Sequence, residues 1–351
     1  MNCNNPKCKK EIRNYNICET CRRIYCSNTC LNEHKTEEHQ QSQTKKITNS
    51  RNSGMKSMFL KLGSYNLEIK NDPFYDFENF EFVKKSDKKK TVGSGAFGDV
   101  YLATNKLDNK LYAIKVMDKS KILENGATLD IIQREIAIHR RINHPNIVKL
   151  YSHMENENFF YLIMEYVNGG SLYYLIKKNK GIDEKKAFDY FIQASSAVNF
   201  LHENNLIHRD LKPENILISD KGEVKLCDFG WCVDITEGSR VTFCGTYEYM
   251  SPEIVKEIPY NFEIDVWSLG ILLYELTHGY APFRAEEDNS EDYNEIFKKI
   301  LKYKFNIEKE LSSNCVDIIS SKNYKKLNII IICFINFQLI FNLYFRTIIS
   351  R

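Results

Sequence analysis

Residues 208–217 read HRDLKPENIL, and their polar part, 208–215, lies between two apolar runs, LI at 206–207 and ILI at 216–218. A solvated turn would tolerate these charges, but it has no need of an Asp, a Lys and an Asn at this spacing. The stretch therefore points to a polar loop carried between apolar segments for a chemical purpose. Asp210 can accept a proton from a hydroxyl, Lys212 can neutralise charge on a migrating phosphoryl group, and Asn215 offers an amide oxygen to a hard cation. Asp228 opens DFG thirteen residues beyond Asn215, straight after VKLC. A carboxylate behind a buried strand, with Gly230 permitting an unusual backbone angle, suits a Mg²⁺ ligand. That ion takes one or two protein carboxylates besides substrate phosphate, which matches Asp228 with Asn215.

The chain has 351 residues, enough for about two domains with extra pieces. Its charged fraction of 27% and hydrophobic fraction of 43% are those of a soluble globular protein. A net charge of +3 supplies no bulk field for nucleic acid, and no nucleic-acid partner is expected. Four regions separate by composition. Residues 1–40 are rich in Cys and His, 41–73 read as a polar linker, 74–320 carry dense patterned hydrophobicity, and 321–351 form an apolar tail.

In the third region the Gly-rich TVGSGAFGDV precedes the alternating strands VYLAT and LYAIKVM. A glycine loop between two strands, with Gly93, Gly95 and Gly98, lets backbone N–H groups close over phosphates; a plain flexible hairpin is the alternative. Strand alternation puts Lys115 beside Ala113 and Met117. LDIIQREIAIHRRI reads as a helix with Ile131, Glu135, Ile138 and Ile142 on one face. A Lys115–Glu135 pair would satisfy two charges that apolar surroundings leave stranded; two unrelated exposed charges are the bland alternative. FYLIMEYV is a further strand. A long helix from Asp183 carries Ala187, Phe191, Ala194, Val198 and Leu201. Strands first and helices after predict a small β-rich lobe ahead of a larger α-rich one.

GSGAFGDV, AIK with Glu135, HRDLKPEN, DFG, SPE and DVWSLG occur in order, and this set resembles the eukaryotic protein kinases over about residues 76–320. The resemblance implies an α+β, two-lobed kinase fold with ATP between the lobes. By motif, Lys115 would hold the α/β-phosphates and pair with Glu135, Asp210 would be the catalytic base, and Asn215 and Asp228 would hold Mg²⁺. The nucleotide would lie among Val92, Gly93, Ser94, Gly95, Ala96, Phe97, Gly98, Val100, Ala113, Glu214 and Leu217. Met164 would be the gatekeeper, and Glu165, Tyr166 and Val167 the hinge that binds adenine. Lys212, two residues after the base, resembles the serine/threonine class. DFGWCVDITEGSRVTFCGTYEYMSPE is similar to Aurora-type kinases, with Trp after DFG and the run Arg240, Thr242, Cys244, Gly245, Thr246. The analogy makes Thr242 the activating phosphosite, pairs its phosphate with Arg209 and sets Thr246 against the catalytic loop. Val241 stands where many relatives have a second Thr, so a single site is expected.

The Glu of KPEN, here Glu214, reads a basic residue upstream of the target in basophilic relatives. Protein substrates with basic residues before the Ser or Thr are therefore implied, and Glu286, Glu287, Asp288, Glu291 and Asp292 either add to this or form a solvated acidic loop. The resemblance also implies an intracellular protein of cytoplasm or nucleus, and by the Aurora analogy of spindle or centrosome.

The first 39 residues run C-x4-C-x9-C-x2-C-x4-C-x3-C-x3-H-x4-H, eight ligands for two tetrahedral zinc ions. Clustered Cys with no preceding signal peptide favour a reducing compartment and metal over disulfides. The pattern resembles HIT and MYND treble-clef fingers, and loosely the B-box, although its first pair is spaced x4. Cross-bracing as in those families would give Cys3, Cys8, Cys26 and Cys30 to one ion, and Cys18, Cys21, His34 and His39 to the other. Such fingers mostly bind a protein partner. One zinc with a spare Cys pair, or a degenerate finger, are the alternatives.

Residues 329–345 are apolar, flanked by Lys325, Lys326 and Arg346, and just short of a membrane span of about 20 residues. Kinases of this family continue past SSNCVDIIS with a helix whose Arg pairs with the Glu of SPE, here Glu253. No Arg in that context follows residue 320. A truncated C-lobe, a tail packing on the same surface, or membrane association through the tail are the expectations. An active ATP- and Mg²⁺-dependent serine/threonine kinase is the first reading, and a catalytically weak pseudokinase or scaffold is the second.

Overall fold

The computed structural model describes residues 72–95, 98–124, 129–236, 238, 240–285 and 293–320, together with the backbone of 16–17 and 24–25. The chain divides into two units, residues 1–64 and 65–351. In the first, strands β1 (Asn16–Ile17) and β2 (Ile24–Tyr25) pair antiparallel, Asn16 opposite Tyr25 and Ile17 opposite Ile24. The eight expected zinc ligands, the loop residues Ala96 and Phe97, the acidic stretch 286–292 and the tail 321–351 lie outside the described residues.

The second unit begins with a twisted antiparallel sheet. Strands β3 (Phe80–Phe82), β6 (Thr91–Gly95), β7 (Gly98–Asn105), β8 (Leu111–Asp118), β9 (Leu150–Glu155) and β10 (Phe159–Glu165) form it. The order is β3-β7-β8-β10-β9, with β6 also on β7. The edge is interrupted in an unusual way. Phe82 faces Ala103 and Thr91 faces Tyr101, while Val83 and Lys90 both bond to Leu102. Residues 84–89 leave the sheet here as a ribbon of β4 (Lys84–Lys85) and β5 (Lys88–Lys89), with Lys84 opposite Lys89 and Lys85 opposite Lys88. Opposed like charges weaken such a ladder, but lysines on an edge also deter pairing with other chains.

Helices α1 (Lys119–Glu124) and α2 (Leu129–Arg141) follow β8. The expected apolar stripe on α2 is divided. Ile132 and Ile136 pack with Met117, Leu150, Phe160 and Leu162 under the sheet, whereas Ile138 and Ile142 join the core of the helical lobe. Ile131 is only half-buried. The helix therefore belongs to both lobes, because 100° per residue carries its apolar positions around the axis between two different neighbours.

The helical lobe comprises α3 (Leu172–Asn179), α4 (Glu184–Glu203), α5 (Pro252–Val255), α6 (Glu263–His278), α7 (Tyr293–Lys302) and α8 (Ser313–Ile319). Asp183 caps α4 by accepting from the Lys186 N–H at 3.0 Å, and the expected positions 187, 191, 194, 198 and 201 are all buried. Every residue of α6 except Glu263 and Gly270 is buried, so it is the lobe's central rod. Leu272, Leu273 and Leu276 are fully enclosed, and burial of each contributes about 1.5–3 kcal/mol. Two short ladders frame the loop 208–215: β11 (Leu206–Ile207) with β14 (Val233–Asp234), and β12 (Ile216–Ile218) with β13 (Val224–Leu226). Among the described residues no helix is long and apolar enough to cross a membrane.

Candidate active site

The loop between β11 and β12 is fastened from below by one carboxylate. Asp265, fully buried on α6, accepts from the His208 N–H at 2.8 Å and the Arg209 N–H at 2.9 Å, and meets His202 Nε2 at 3.0 Å. Burial raises its pKa, but these hydrogen bonds and the imidazoles outweigh burial and hold it below the ordinary value. The anchorage sustains a left-handed backbone at Arg209, φ +70°. The next residue is Asp210. Its Oδ2 accepts from Asn215 Nδ2 at 2.9 Å and Lys212 Nζ at 3.0 Å, and its Oδ1 accepts from Thr246 Oγ1 at 3.1 Å. Lys212 Nζ also donates to Thr246 Oγ1 at 2.9 Å. The expected base, its lysine and its asparagine thus converge, and Thr246 joins them.

On the sheet side, Lys115 Nζ lies 2.8 Å from Glu135 Oε1 and 3.8 Å from Asp228 Oδ1. Burial alone would lower the Lys115 pKa. The two carboxylates overcome it and hold the ammonium above its ordinary value. The Asp228 carboxyl is held low by Lys115, against the opposing effect of burial. Its side chain stays half open to the cleft. The left-handed angle expected at Gly230 belongs instead to Asp228, φ +64°. Gly230 has an ordinary angle, and a Cβ there would make only van der Waals contact, 3.4 Å from Asp228 Oδ1 and 3.5 Å from Glu135 Oε2. It also donates its N–H to Asp228 Oδ1 at 3.3 Å.

Register places the expected nucleotide residues together. Val100 lies opposite Lys115, and Met164 opposite Ala113. Opposed and alternate residues of a sheet share a face, so all four line one surface. Val92, Ser94 and Gly95 are exposed on β6, and Leu217 is half-buried on β12. Gly98 permits close packing, since a Cβ there would come within 1.9 Å of the Val116 carbonyl oxygen. Met164 packs at the edge of the sheet core and Val167 is buried.

The donor set suits Mg²⁺. Asp228 Oδ2 and the Asn215 amide oxygen receive no hydrogen bond among the described residues, whereas the Asn215 amide N–H is committed to Asp210. One carboxylate and one neutral oxygen leave room for water and phosphate.

Further side chains around the site, some inside the motifs and some such as His139 and Glu275 outside them, take their roles from the fold. Phe229 lies between His208, edge-on at 5.4 Å, and His139, tilted at 4.6 Å, forming a ring column from loop to α2. Burial pushes the His139 pKa down to about 4, and its Nε2 bonds to the Val148 carbonyl at 2.7 Å. Near Glu214, Tyr249 Oη donates to Glu275 Oε2 at 2.7 Å. Burial, with Glu214 and Glu248 adding to it, pushes the Glu275 pKa up to about 7, and Glu248 is raised likewise. This is an acidic well that would gain from an added cation. Glu275 shows in the sequence only as a carboxylate inside an apolar helical run. Thr242 is half-buried, and its carbonyl accepts from Tyr260 Oη at 2.8 Å. Arg209, its expected phosphate partner, bonds the same phenol through Nη1 at 3.2 Å. Among the described residues, Glu253 Oε2 is buried without a hydrogen-bond partner.

A profile of the protein kinase domain family matches residues 86–326. The chain is 39% identical over 245 residues to an Aurora kinase of Candida glabrata, covering 70% of this chain and 67% of that protein. It is 40% identical over 240 residues to the serine/threonine-protein kinase Aurora-2 of Arabidopsis thaliana, covering 68% and 83% respectively. A serine/threonine-protein kinase Sgk1-B of Xenopus laevis is 37% identical over 244 residues, 69% of this chain and 55% of that protein. The chain spans 60% to 67% of the length of the three fungal Aurora kinases it matches.

Proposed function

This chain belongs to the protein kinase family, to its Aurora-type serine/threonine group, and on that footing we propose that it transfers the γ-phosphoryl group of ATP to Ser or Thr hydroxyls of proteins. The observation that carries the reading is the convergence of Lys212, Asn215 and Thr246 on the Asp210 carboxylate. Asp210 accepts the proton of the attacking hydroxyl, and Lys212 and Lys115 balance charge on the transferred and the α/β-phosphates. Asn215 and Asp228 would hold Mg²⁺, which supplies neutralisation of phosphate charge. Val100, Ala113, Met164 and Leu217 would enclose the base, with the backbone of Glu165 and Val167 binding its edge. Transfer of labelled γ-phosphate to a basic Ser/Thr peptide, with Asp210→Asn as blank, tests this. No transfer after Thr242 is phosphorylated would overturn it.

The acidic well of Glu214, Glu248 and Glu275 supports a preference for basic residues before the target. Phosphorylation of Thr242 would raise activity, with Arg209 as the nearby cation. By the Aurora analogy the protein would act inside the cell, at spindle or centrosome. A weak or scaffolding kinase is the second reading, favoured by Glu253 Oε2, which has no hydrogen-bond partner among the described residues. For residues 1–40 we propose two zinc ions and a protein-binding role. The short β1–β2 ladder supports it, because the six residues between Ile17 and Ile24 carry Cys18 and Cys21. Elemental analysis of the full chain should give two zinc ions, and Cys18→Ser/Cys21→Ser should lose one.

A further inference from the structure

The turn between α5 and α6 carries Tyr260, whose ring is 1% exposed in a small core with Ile207, Val233, Met250, Ile254 and Ile264. Packing alone would be served by Phe. The hydroxyl, however, stands at a junction. It donates to the Thr242 carbonyl at 2.8 Å, accepts from Arg209 Nη1 at 3.2 Å, and lies 3.7 Å from Cys244 Sγ. The backbone of Tyr260 exchanges two hydrogen bonds with Arg240, at 2.9 and 3.1 Å. Arg209 Nε meanwhile donates to the Trp231 carbonyl at 2.7 Å.

These bonds link both arms of the segment between DFG and SPE. Trp231 begins it and Thr242 lies just past its middle. The guanidinium beside the catalytic Asp210 joins them through one phenol. On either side of Thr242, Val241 and Phe243 are 54% and 45% exposed. Four residues on, Thr246 donates to Asp210 Oδ1, so the path of this segment sets a contact of the catalytic carboxylate. Burial raises the phenol's pKa despite Arg209, so it remains a donor at neutral pH.

Resting on the kinase reading above, we infer that Tyr260 is a positioning residue that holds the activation segment in its working path while Thr242 carries no phosphate. The unphosphorylated chain then has a basal activity that phosphorylation augments rather than creates. A phosphate on Thr242 would supply Arg209 with a stronger partner, and the phenol would matter less.

The test uses the full chain with and without a phosphorylatable Thr242. Tyr260→Phe keeps the ring and removes only the hydroxyl. In a Thr242→Ala background it should lower kcat/KM about tenfold, the scale of one hydrogen bond to a charged partner. In chain phosphorylated at Thr242 the loss should stay below about threefold by the same scale. Amide exchange across 240–246 should quicken in Tyr260→Phe/Thr242→Ala relative to Thr242→Ala alone. Equal losses in both backgrounds, or no loss with unchanged exchange, overturn the inference. In the unmodified, unphosphorylated chain the Arg240 and Tyr260 amides should be protected; their free exchange overturns it without any variant. If no form transfers phosphate, including that phosphorylated at Thr242, the kinase reading fails and exchange alone decides the tether.

Discussion

On the floor of the cleft, Asp210 receives hydrogen bonds from three side chains, and its loop hangs from Asp265 by two backbone N–H groups. On the roof, Lys115 depends on Glu135 at 2.8 Å, with Asp228 farther off, and Ser94 and Gly95 stand exposed. The floor's charges are over-determined by fixed partners. The roof's ammonium is placed by one residue on a helix whose apolar positions divide between two cores. A group held by many bonds is preorganised for proton transfer. A group held by one bond to a helix shared between lobes moves when that helix moves.

The contrast can be broken from the floor upward. Asp210→Asn should cut kcat by about 10³-fold, the range of a lost general base, with little change in melting temperature, read by phosphate transfer and calorimetry. Asp265→Asn should cost about 2–4 kcal/mol of stability in urea unfolding, because two buried N–H donors lose a charged acceptor. If it costs nothing, the floor is not fastened from α6. Glu135→Gln should lower kcat/KM for ATP about ten- to a hundredfold through loss of one charged pair. Its unfolding midpoint should move less than that of Asp265→Asn. A larger stability loss at Glu135 than at Asp265 would invert the comparison.

The smallest effect concerns the ring column between floor and roof. His139 has its pKa lowered from 6.5 to about 4 by burial. The unfolded chain therefore binds a proton below pH 6.5 that the native one refuses until about pH 4. Stability is present above 6.5 and falls as pH drops through this window. Between pH 7.5 and 5.5 the wild type should lose about 1 kcal/mol more than His139→Gln in urea titrations. Parallel curves for the two would remove His139 from the column's energetics.

Much of this site is readable in the local pattern. HRDLKPEN and DFG are short, contiguous and bounded by apolar strands, so residue type and spacing identify Asp210, Lys212, Asn215 and Asp228. Helix α4 is equally plain, because its apolar positions face one neighbour along its whole length. Helix α2 is less so: Glu135 fits the pattern, but the stripe misplaces Ile131 because two cores share the helix. The odd angle falls on Asp228 rather than Gly230, since a carboxylate locked by Lys115 and the Gly230 N–H can bear strain that local preference assigns to glycine.

The order of motifs by itself determined the family, the lobe order and the identity of the groups that handle phosphate. It could do so because each motif is a short contiguous run whose residue types and spacing carry its chemistry. Only the tertiary structure decided that Asp265 fastens the loop, that Glu275 deepens an acidic well, and that Tyr260 joins Arg209 to Thr242. Each of these acts across tens of residues, where sequence distance carries no information about spatial distance. Each is also a polar group inside apolar surroundings, whose meaning depends wholly on which partner the fold brings to it.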